Sequence, residues 1–187
     1  MHDMNNDVAS IIRGRRTIHN FQPGKSPPRE QIMDAISHAV WAPNHHLTEP
    51  WKFYLIGEAS KERICVLNAD ILKQARGEEA ARIKLDRWRE IPGWLLMTCN
   101  ESKNRIRAME DYAACCCAAQ NLMLYLWSLD IGVKWTTGGV IRHPDFCRIV
   151  GMDAELEIPV GLFWYGYAQD IPVMTRKNHA EKLVELP

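Results

Sequence analysis

The sequence predicts a mixed α+β domain. Two apolar runs, at residues 93–100 and 157–168, are typical of core strands, and residues 51–57 form a third candidate. Helical patterns alternate with only three or four strand candidates, which are too widely spread along the chain for regular βαβ units. With 187 residues, 47% of them hydrophobic and 25% charged, the chain has the composition of a globular protein. We interpret residues 1–187 as one domain, in which 169–187 is a polar C-terminal extension.

Helical periodicity justifies the other elements in order. Short helices are expected at 8–13 and 143–150, and longer ones at about 28–40, 58–73 and 108–130. In the first helix, Ile11 and Ile12 are expected to face inward. The helix at 108–130 is apolar on most sides, which predicts burial by more than one neighbour. The charged segment 76–90 is interpreted as a solvated helix or a lid, and a short strand or extended stretch follows at 133–137.

Charge and composition exclude several classes of protein. The chain has 23 basic and 23 acidic residues and a formal net charge of zero, which argues against nucleic acid as the main partner. The polar N-terminus lacks the basic and apolar regions of a signal peptide, and no apolar run is long enough to span a bilayer. We therefore expect a cytoplasmic protein that has no membrane segment. Zero net charge also leaves little repulsion between copies.

The cysteine and histidine patterns give no support for a metal site. The six cysteines contain no CxxC pair, and Cys115, Cys116 and Cys117 are consecutive on a predicted helix, where neighbouring side chains diverge. Reduced, buried thiols are the favoured interpretation. His45 and His46 are adjacent and lack the spacing of HxxxH or HExxH motifs. A histidine-based metalloenzyme stays open only as a remote alternative.

The stretch "RRTIHNF" is the first candidate binding motif. The guanidinium groups of Arg15 and Arg16 match a phosphate bidentately, and the hydroxyl group of Thr17 can complete such a site. The alternative is a solvated helix end, where arginine complements the helix dipole. From the pair alone, the alternative is favoured.

Two further stretches change that balance. The loop "WAPNHHLTEPW" begins at Trp41 and carries Asn44 and His45, which suit the polar rim of a heteroaromatic ligand. Simple surface exposure is the alternative for its histidines. The stretch "KWTTGG" offers a flat indole, hydroxyl groups and a backbone that allows close approach, from Trp135, Thr136, Thr137 and the two glycines that follow. Its alternative is a core strand that ends in a turn.

Taken together, these motifs resemble the nitroreductase family of flavin (FMN) oxidoreductases, in particular its short, minimal members. "RRTIHNF" is similar to the family's R-R-S-x-R-x-F opening, and "WAPNHHLTEPW" is similar to its A-P-S-x-x-N-x-Q-P-W loop. "AAQNLMLYLWSLDIGVKW" and "PVGLFWYGY" complete the likeness, which spans roughly residues 8–168 in order. The first two motifs are the more specific ones.

The resemblance implies an α+β nitroreductase-like fold, with a central mixed or antiparallel sheet flanked by helices. It also implies an intertwined homodimer with two FMN sites at the subunit interface. Arg15, Arg16 and Thr17 would hold the phosphate and ribityl end, and Trp135, Thr136 and Thr137 would line the flavin. Trp41 and His45, in the loop that also carries Asn44, would reach the flavin of the partner subunit. Near the C-terminus, Arg176 is the best match for a basic phosphate ligand, and Lys177 is its rival.

Three departures limit what can be carried over. The arginine in the second half of the family's opening motif is His19 here, the family's loop asparagine is Leu47, and its glutamine is Glu49. Contacts made by those family side chains are not assigned to this chain. The segment before the central helix is also short, so a large substrate-covering insertion is absent and an open site is expected.

The activity implied by the resemblance is ping-pong hydride transfer from NAD(P)H through FMN to an electron-poor small molecule, such as a nitroaromatic, a quinone or an enone. Flavin carries this chemistry, so no catalytic side chain is predicted. Lys134 is a positional candidate for the charge that stabilises reduced flavin near N1 and O2. Two alternatives stay open. One is a flavin enzyme of the same fold with another reaction, and the other is a flavin-binding protein that is not an enzyme.

Overall fold

A computed structural model describes residues 8–186 and contains six α-helices and four strands in that range. The helices are α1 Val8–Gly14, α2 Arg29–Ala39, α3 Glu58–Arg76, α4 Glu78–Arg89, α5 Arg105–Ser128 and α6 Pro144–Val150. The strands are β1 Trp51–Ile56, β2 Gly93–Asn100, β3 Ile131–Thr136 and β4 Glu157–Tyr167. Short 3₁₀ turns lie at His45–Leu47, Gly139–Arg142 and His179–Lys182. The predicted α+β class is confirmed.

The four strands form one antiparallel sheet in the order β1-β2-β4-β3. The two apolar runs predicted as core strands, β2 and β4, lie at its centre, with Leu95 opposite Phe163. Strand β3 has a sheet neighbour only on its β4 side within the described chain. On its other side, Thr17 forms a parallel bridge to Val133, and the backbone N–H of Ile18 donates to the Val133 carbonyl at 3.1 Å. The chain after α1 is thereby fixed along β3.

Alternation along the strands divides the core between the two faces of the sheet. Leu95 and Phe163 pack with α2 and α5 on one face. Trp94 and Trp164 pack with α3, α4 and α6 on the other face, where the ring centroid of Trp88 in α4 lies 5.5 Å from that of Trp94 and 5.0 Å from that of Trp164. The charged segment 76–90 is therefore largely a helix that buries its tryptophan. None of the helices in residues 8–186 has the length and apolar character needed to cross a bilayer.

One burial prediction is wrong, because helix α1 has no buried residue and Ile12 is 52% exposed. The prediction that more than one neighbour buries α5 is confirmed, since the helix packs against both α2 and the sheet. Part of its apolar surface nevertheless stays open, with Ile106 70% exposed and Met109 65% exposed. The sequence shows that these side chains are apolar, but apolar residues also occur on surfaces that a partner covers.

The cysteines agree with prediction only in part. All six are free thiols, as expected. Cys65, Cys99 and Cys115 are buried, and burial raises the pKa of Cys65 to about 11. Cys117, in contrast, is exposed on α5. The prediction that the thiols are buried is therefore wrong for Cys117.

One buried carboxylate joins the three strands on the β1 side of the sheet. Glu157 accepts hydrogen bonds from Lys52 Nζ at 2.7 Å, from Tyr54 Oη at 2.8 Å and from Thr98 Oγ1 at 2.6 Å. Its side chain is 6% exposed. Burial acts to raise the pKa of Glu157, but the hydrogen bonds outweigh burial and hold the pKa below its ordinary value. The ionised form is therefore the one that stabilises the fold.

We predict that Glu157→Gln lowers the free energy of unfolding by about 2 kcal/mol at pH 7, because charge-assisted hydrogen bonds are lost in a buried network. A depressed folded-state pKa contributes stability above the unfolded pKa of about 4.3 and loses it as pH falls through the folded value. The difference between wild type and variant should therefore shrink towards pH 3. Urea unfolding of both proteins at several pH values measures this difference in the free energy of unfolding.

The control for this prediction is Glu155→Gln, which removes an exposed carboxylate from the turn just before β4. It should change stability by less than about 0.5 kcal/mol. A Glu157→Gln variant as stable as this control at pH 7 would show that the network does not contribute to folding.

Candidate functional site

Arg16 lies at the end of α1. Part of its guanidinium group interacts with the helix end, which is the alternative role that the sequence allowed for the arginine pair. Its Nη1 donates to the carbonyl oxygens of Arg13 at 2.6 Å, Gly14 at 3.1 Å and Arg15 at 2.8 Å. These are carbonyls of the last helical turn, which have no partner inside the helix. One nitrogen of Arg16 thus caps α1, which fixes the direction in which the chain leaves the helix.

Two other guanidinium groups act on the charge of Arg15 at this helix end. Burial lowers the pKa of Arg15, and the charges of Arg176 and Arg16 lower it further, in that order. Within residues 8–186, no carboxylate forms an ion pair with any of the three. We call this set the arginine cluster. Because like charges repel one another, a bound anion would stabilise it.

The bridge between Thr17 and Val133 places the arginine cluster beside β3 and the residues that follow it. Trp135 of that strand packs inward. Its Nε1 donates to the Val160 carbonyl at 3.1 Å, and its ring stacks on Phe163 with centroids 5.3 Å apart. Gly161 makes room for this indole, since a Cβ atom there would lie 2.0 Å from Trp135 Nε1. The ring of Trp135 therefore packs in the core, in agreement with the alternative interpretation of this stretch as a core strand.

The chain after Trp135 offers open backbone. The carbonyl of Thr137 accepts a hydrogen bond from Arg142 Nη1 at 2.8 Å, which anchors the turn. A Cβ atom added at Gly139 would meet no atom of the described chain within 4 Å. At Gly138 the nearest such atom is Thr136 Oγ1, at 3.8 Å. A flat ligand can therefore approach the backbone of residues 136–139 closely.

A second group of basic residues lies on the α4 side of the sheet. Lys134 Nζ lies 4.9 Å from the ring centroid of Trp164. Burial lowers the pKa of Lys134, and the charges of Lys84 and Arg87 lower it further. Burial also lowers the pKa of His19, as do Lys134 and Arg87. We call these four residues the lysine cluster.

The lysine cluster borders a small cavity of about 110 Å³, whose lining includes His19, Arg87, Trp164 and Gln169. Arg87 Nη2 donates to the side-chain oxygen of Asn20 at 3.2 Å, which orients the guanidinium at the cavity. Sequence analysis did not single out Lys84 and Arg87, because a charged helix is usually solvated. The charge density of residues 76–90 was the available signal.

A short segment along β3 connects the two clusters. At the bridge to Val133, exposed Thr17 and His19 lie on either side of buried Ile18 in the sequence, as alternation along a strand predicts. The hydroxyl group of Thr17 and the imidazole of His19 thus follow the arginine cluster along the chain towards the lysine cluster.

The loop at residues 41–50 is a separate part of the candidate site, and its backbone is unusual. His46, Leu47 and Glu49 have φ values of 56°, 50° and 42°, in the left-handed region that non-glycine residues rarely adopt. Asn44 holds the loop together, since its Oδ1 accepts from the Glu49 N–H at 2.9 Å and its Nδ2 donates to the Ala42 carbonyl at 3.2 Å. Such strain persists only where surrounding contacts enforce it, and it often marks functional loops.

The loop exposes side chains that would normally be buried. Trp41 is 85% exposed and Leu47 is 81% exposed, while the rings of His45 and His46 lie 3.9 Å apart. Thr48 Oγ1 donates to Asp111 Oδ1 at 2.6 Å and ties the loop to α5. An exposed tryptophan and leucine on a rigid loop are typical of a surface that contacts another molecule.

The candidate residues therefore form two separate groups. The loop is tied to α5 at Asp111, whereas Gly14 approaches α5 at Trp127, where an added Cβ would lie 3.3 Å from the indole nitrogen. These positions are about 24 Å apart along the helix axis at 1.5 Å per residue. That distance is more than a flavin mononucleotide spans. One group lies near the end of α1 and β3 and comprises Arg15, Arg16, Thr17, Trp135, Thr136, Thr137 and Arg176. The other group lies in the loop and comprises Trp41, Asn44 and His45.

Within residues 8–186, no three His, Cys, Asp or Glu side chains group closely enough to hold a metal ion.

The chain is similar to several known proteins. A protein of Bacillus subtilis (strain 168), YfhC, provisionally named an NAD(P)H nitroreductase, is 29% identical over 176 residues, covering 91% of this chain and 89% of its own. The crystal structure of a nitroreductase-like family protein from Bacillus cereus has a TM-score of 0.84 and 31% identity, covering 96% of each chain.

A nitroreductase-like protein from Desulfovibrio desulfuricans, solved in complex with FMN, has the same fold, with a TM-score of 0.74 at 21% identity over 97% of this chain and 98% of its own. The family model described as "Nitroreductase family" matches residues 12–167. That match includes both the arginine pair at the end of α1 and the strained loop. The chain belongs to the nitroreductase family.

Proposed function

We propose that this protein is an FMN-dependent oxidoreductase that takes hydride from NAD(P)H and reduces an electron-poor small molecule by a ping-pong mechanism. The observation that carries the proposal is the arginine cluster: three guanidinium groups brought together without a carboxylate partner among the described residues. FMN, when bound, supplies the hydride-accepting and hydride-donating chemistry. The side chains of this chain bind and orient it.

The arginine cluster suits the phosphate of FMN. Arg15 and Arg176 contribute planar forks that match phosphate oxygens, and Arg16 retains the nitrogens that do not cap α1. Thr17, which is held against β3, adds a hydroxyl group beside them. Because Arg15 is partly buried, its interaction with an anion is screened less by solvent than that of a surface arginine.

The lysine cluster suits the other end of the cofactor. Lys134 lies next to the strand end where the open backbone of residues 136–139 can bind the polar edge of a flat ring. Its charge, together with those of Lys84 and Arg87, would favour the negative charge that a reduced flavin carries near N1 and O2. In this assignment, the extended segment after α1 runs along the ribityl chain.

The strained loop completes the site from a second copy of the chain. Trp41 and His45 are too far along α5 from the arginine cluster to reach the same cofactor within one chain. We propose a homodimer with FMN at its interface, in which these side chains cover the flavin of the partner. Asn44 then stabilises the loop conformation and does not contact the flavin, because its side-chain amide already forms hydrogen bonds with the backbone of Ala42 and Glu49.

The relatives support the cofactor and the donor. The Desulfovibrio desulfuricans protein binds FMN on the same fold, and the name of YfhC indicates NAD(P)H as electron donor. The acceptor that we propose is a planar nitroaromatic, quinone or enone, which could stack on the flavin beside the exposed Trp41. We also propose a cytoplasmic location, where NAD(P)H is abundant and the six free cysteines remain reduced.

The direct experiment is a visible absorbance spectrum of the purified protein, followed by addition of NADPH or NADH without oxygen. We expect a yellow protein that bleaches with a reduced nicotinamide and regains its colour when a quinone or nitroaromatic is added. A colourless protein that also fails to bind added FMN would contradict the proposal. A yellow protein that neither nicotinamide reduces would remove the oxidoreductase assignment.

A second prediction concerns Arg176, whose charge acts on Arg15. Arg176→Ala should weaken FMN binding by roughly 10- to 100-fold, because one charge-assisted hydrogen-bonding group to phosphate is lost. Titration of the flavin-free protein with FMN measures the effect.

The matched control is Lys177→Ala, which removes the neighbouring positive charge. It should change FMN affinity by less than about threefold, the effect of a screened surface charge. If Lys177→Ala weakens binding and Arg176→Ala does not, the phosphate ligand is misassigned.

A third prediction concerns the reduction potential of the flavin. Lys134→Met should leave FMN bound but lower the two-electron midpoint potential by about 30 mV, or about 1.4 kcal/mol, because reduced flavin loses a nearby positive charge. The control is Arg82→Met, since Arg82 is an exposed residue of α4 that is already paired with Asp86. Equal potentials in the two variants would show that Lys134 does not act on the flavin.

A further inference from the structure

The lysine cluster carries more positive charge than the proposed flavin site requires. Lys84, Arg87 and Lys134 are cations in their ordinary state at pH 7, whereas a reduced flavin brings one negative charge near N1 and O2. Burial lowers the pKa of Lys84 and of Lys134, because the charged ammonium groups lose part of their hydration. The cluster can therefore be stabilised by a second anionic group.

Two indole rings in contact with each other hold the lysines at this place. Lys134 Nζ lies 4.9 Å from the ring centroid of Trp164, and Lys84 Nζ lies 5.6 Å from that of Trp88. The two rings pack edge to face with their centroids 5.0 Å apart. A cation over the face of an indole is attracted by the ring, but its charge is not neutralised. Both lysines therefore remain able to attract an anion.

Arg87 contributes hydrogen-bond donors to the same place. Among residues 8–186, its only hydrogen bond runs from Nη2 to Asn20 Oδ1 at 3.2 Å. Asn20 Nδ2 in turn donates to Asp170 Oδ1 at 3.1 Å, so the amide lies between the guanidinium group and that carboxylate. Glu90 also lines the cavity, but within the described residues neither carboxylate forms an ion pair with the cluster. Arg87 thus retains N–H groups that match a carboxylate.

The cavity beside the cluster has room for an anionic group but not for a whole substrate. Its volume is about 110 Å³, and its lining includes His19, Arg87 and the ring of Trp164. Sites that enclose a complete small molecule usually have roughly 300–1,000 Å³. A ligand that is anchored here by its anionic group therefore keeps its body outside the cavity.

We propose that the lysine cluster binds a carboxylate group of the electron acceptor, so that the preferred acceptors are planar aromatic or enone acids rather than neutral molecules. The carboxylate enters the cavity at Arg87, and the planar body of the acceptor stacks on the flavin beside Lys134. The assignment of this ligand as an acceptor rests on the proposed function. Binding of a carboxylate is tested without turnover.

The first test compares 4-nitrobenzoate with its methyl ester, which has the same ring and nitro group but no charge. The ester is intrinsically easier to reduce, so the measure is the change in the ratio of the two kcat/KM values between proteins. We expect Arg87→Met to lower the ratio of acid to ester by about 10-fold, because a charge-assisted hydrogen-bonding group is lost. Each ratio is taken within one protein, so an effect on the flavin cancels.

The matched control is Arg82→Met, which removes a charge from the same helix where the arginine is exposed and paired with Asp86. It should change the ratio by less than about twofold. An unchanged ratio in Arg87→Met, or an equal fall in both variants, would overturn the proposal. So would a raised KM for NADPH in Arg87→Met without a change in the ratio, because the cluster would then bind the phosphates of the donor.

The second test measures binding of benzoate, a carboxylate that accepts no electrons from the flavin. In protein labelled with ¹⁵N at the indole nitrogens, the NMR signal of Trp164 is assigned by its absence from Trp164→Phe. We expect this signal to shift on titration with benzoate and not with benzamide, and Arg87→Met to weaken benzoate binding by about 10-fold. No response to benzoate, or an equal response to benzamide, would overturn the carboxylate site.

The two tests also separate this inference from the proposed function. Reduction of both nitro compounds with a ratio that Arg87→Met leaves unchanged would retain the proposed function and remove the carboxylate site. Benzoate binding that depends on Arg87, in a protein that has no affinity for FMN, would retain the carboxylate site and overturn its assignment to an electron acceptor.

Discussion

The repulsion among three guanidinium groups is the constraint on which the candidate site depends. Arg15 is partly buried beside Arg16 and Arg176, and both conditions disfavour its charged form, as its lowered pKa records. The fold enforces this proximity by capping α1 with Arg16 and by fixing Thr17 against β3. Like charges held together in this way are stabilised when an anion joins them. A phosphate-bearing cofactor is the simplest partner that explains why the fold brings these residues together.

The length of helix α5 determines how far apart the two parts of the candidate site lie. It packs against the sheet with one side and leaves the other open, and the two parts of the site are attached near its opposite ends. In the proposed homodimer, the site of a cofactor held at one end is completed by a second copy of the chain. The strained loop has the same explanation. Left-handed Leu47 and exposed Trp41 are unfavourable in an isolated chain, but they are expected where a partner is contacted.

Much of the fold could be predicted from the sequence, because the strongest signals were local. Uninterrupted apolar runs located the central strands β2 and β4, and helical periodicity located the helices to within a few residues. Burial was the weak point. Ile12 and the exposed face of α5 are apolar, and sequence cannot distinguish a side chain that faces its own core from one that faces another molecule. The sequence also does not show which side of α4 faces the sheet. The proximity of Lys84 and Arg87 to Lys134 could therefore not be predicted.

The candidate site was predicted through its motifs rather than its geometry. The arginine pair and the third arginine near the C-terminus are 160 residues apart, and only the fold brings Arg176 next to Arg15. The amide of Asn44 was expected to face a ligand, but the structure uses it inside the loop.

The central claim is that the arginine cluster binds the phosphate of FMN, and a comparison of FMN with riboflavin tests it most directly, since riboflavin lacks only that phosphate. The wild type should bind FMN at least roughly 100-fold more tightly than riboflavin. Arg15→Ala should remove most of that preference while leaving riboflavin affinity unchanged. If the variant lost affinity for both ligands equally, or if the wild type did not distinguish them, the arginines would not be phosphate ligands and the account would fail.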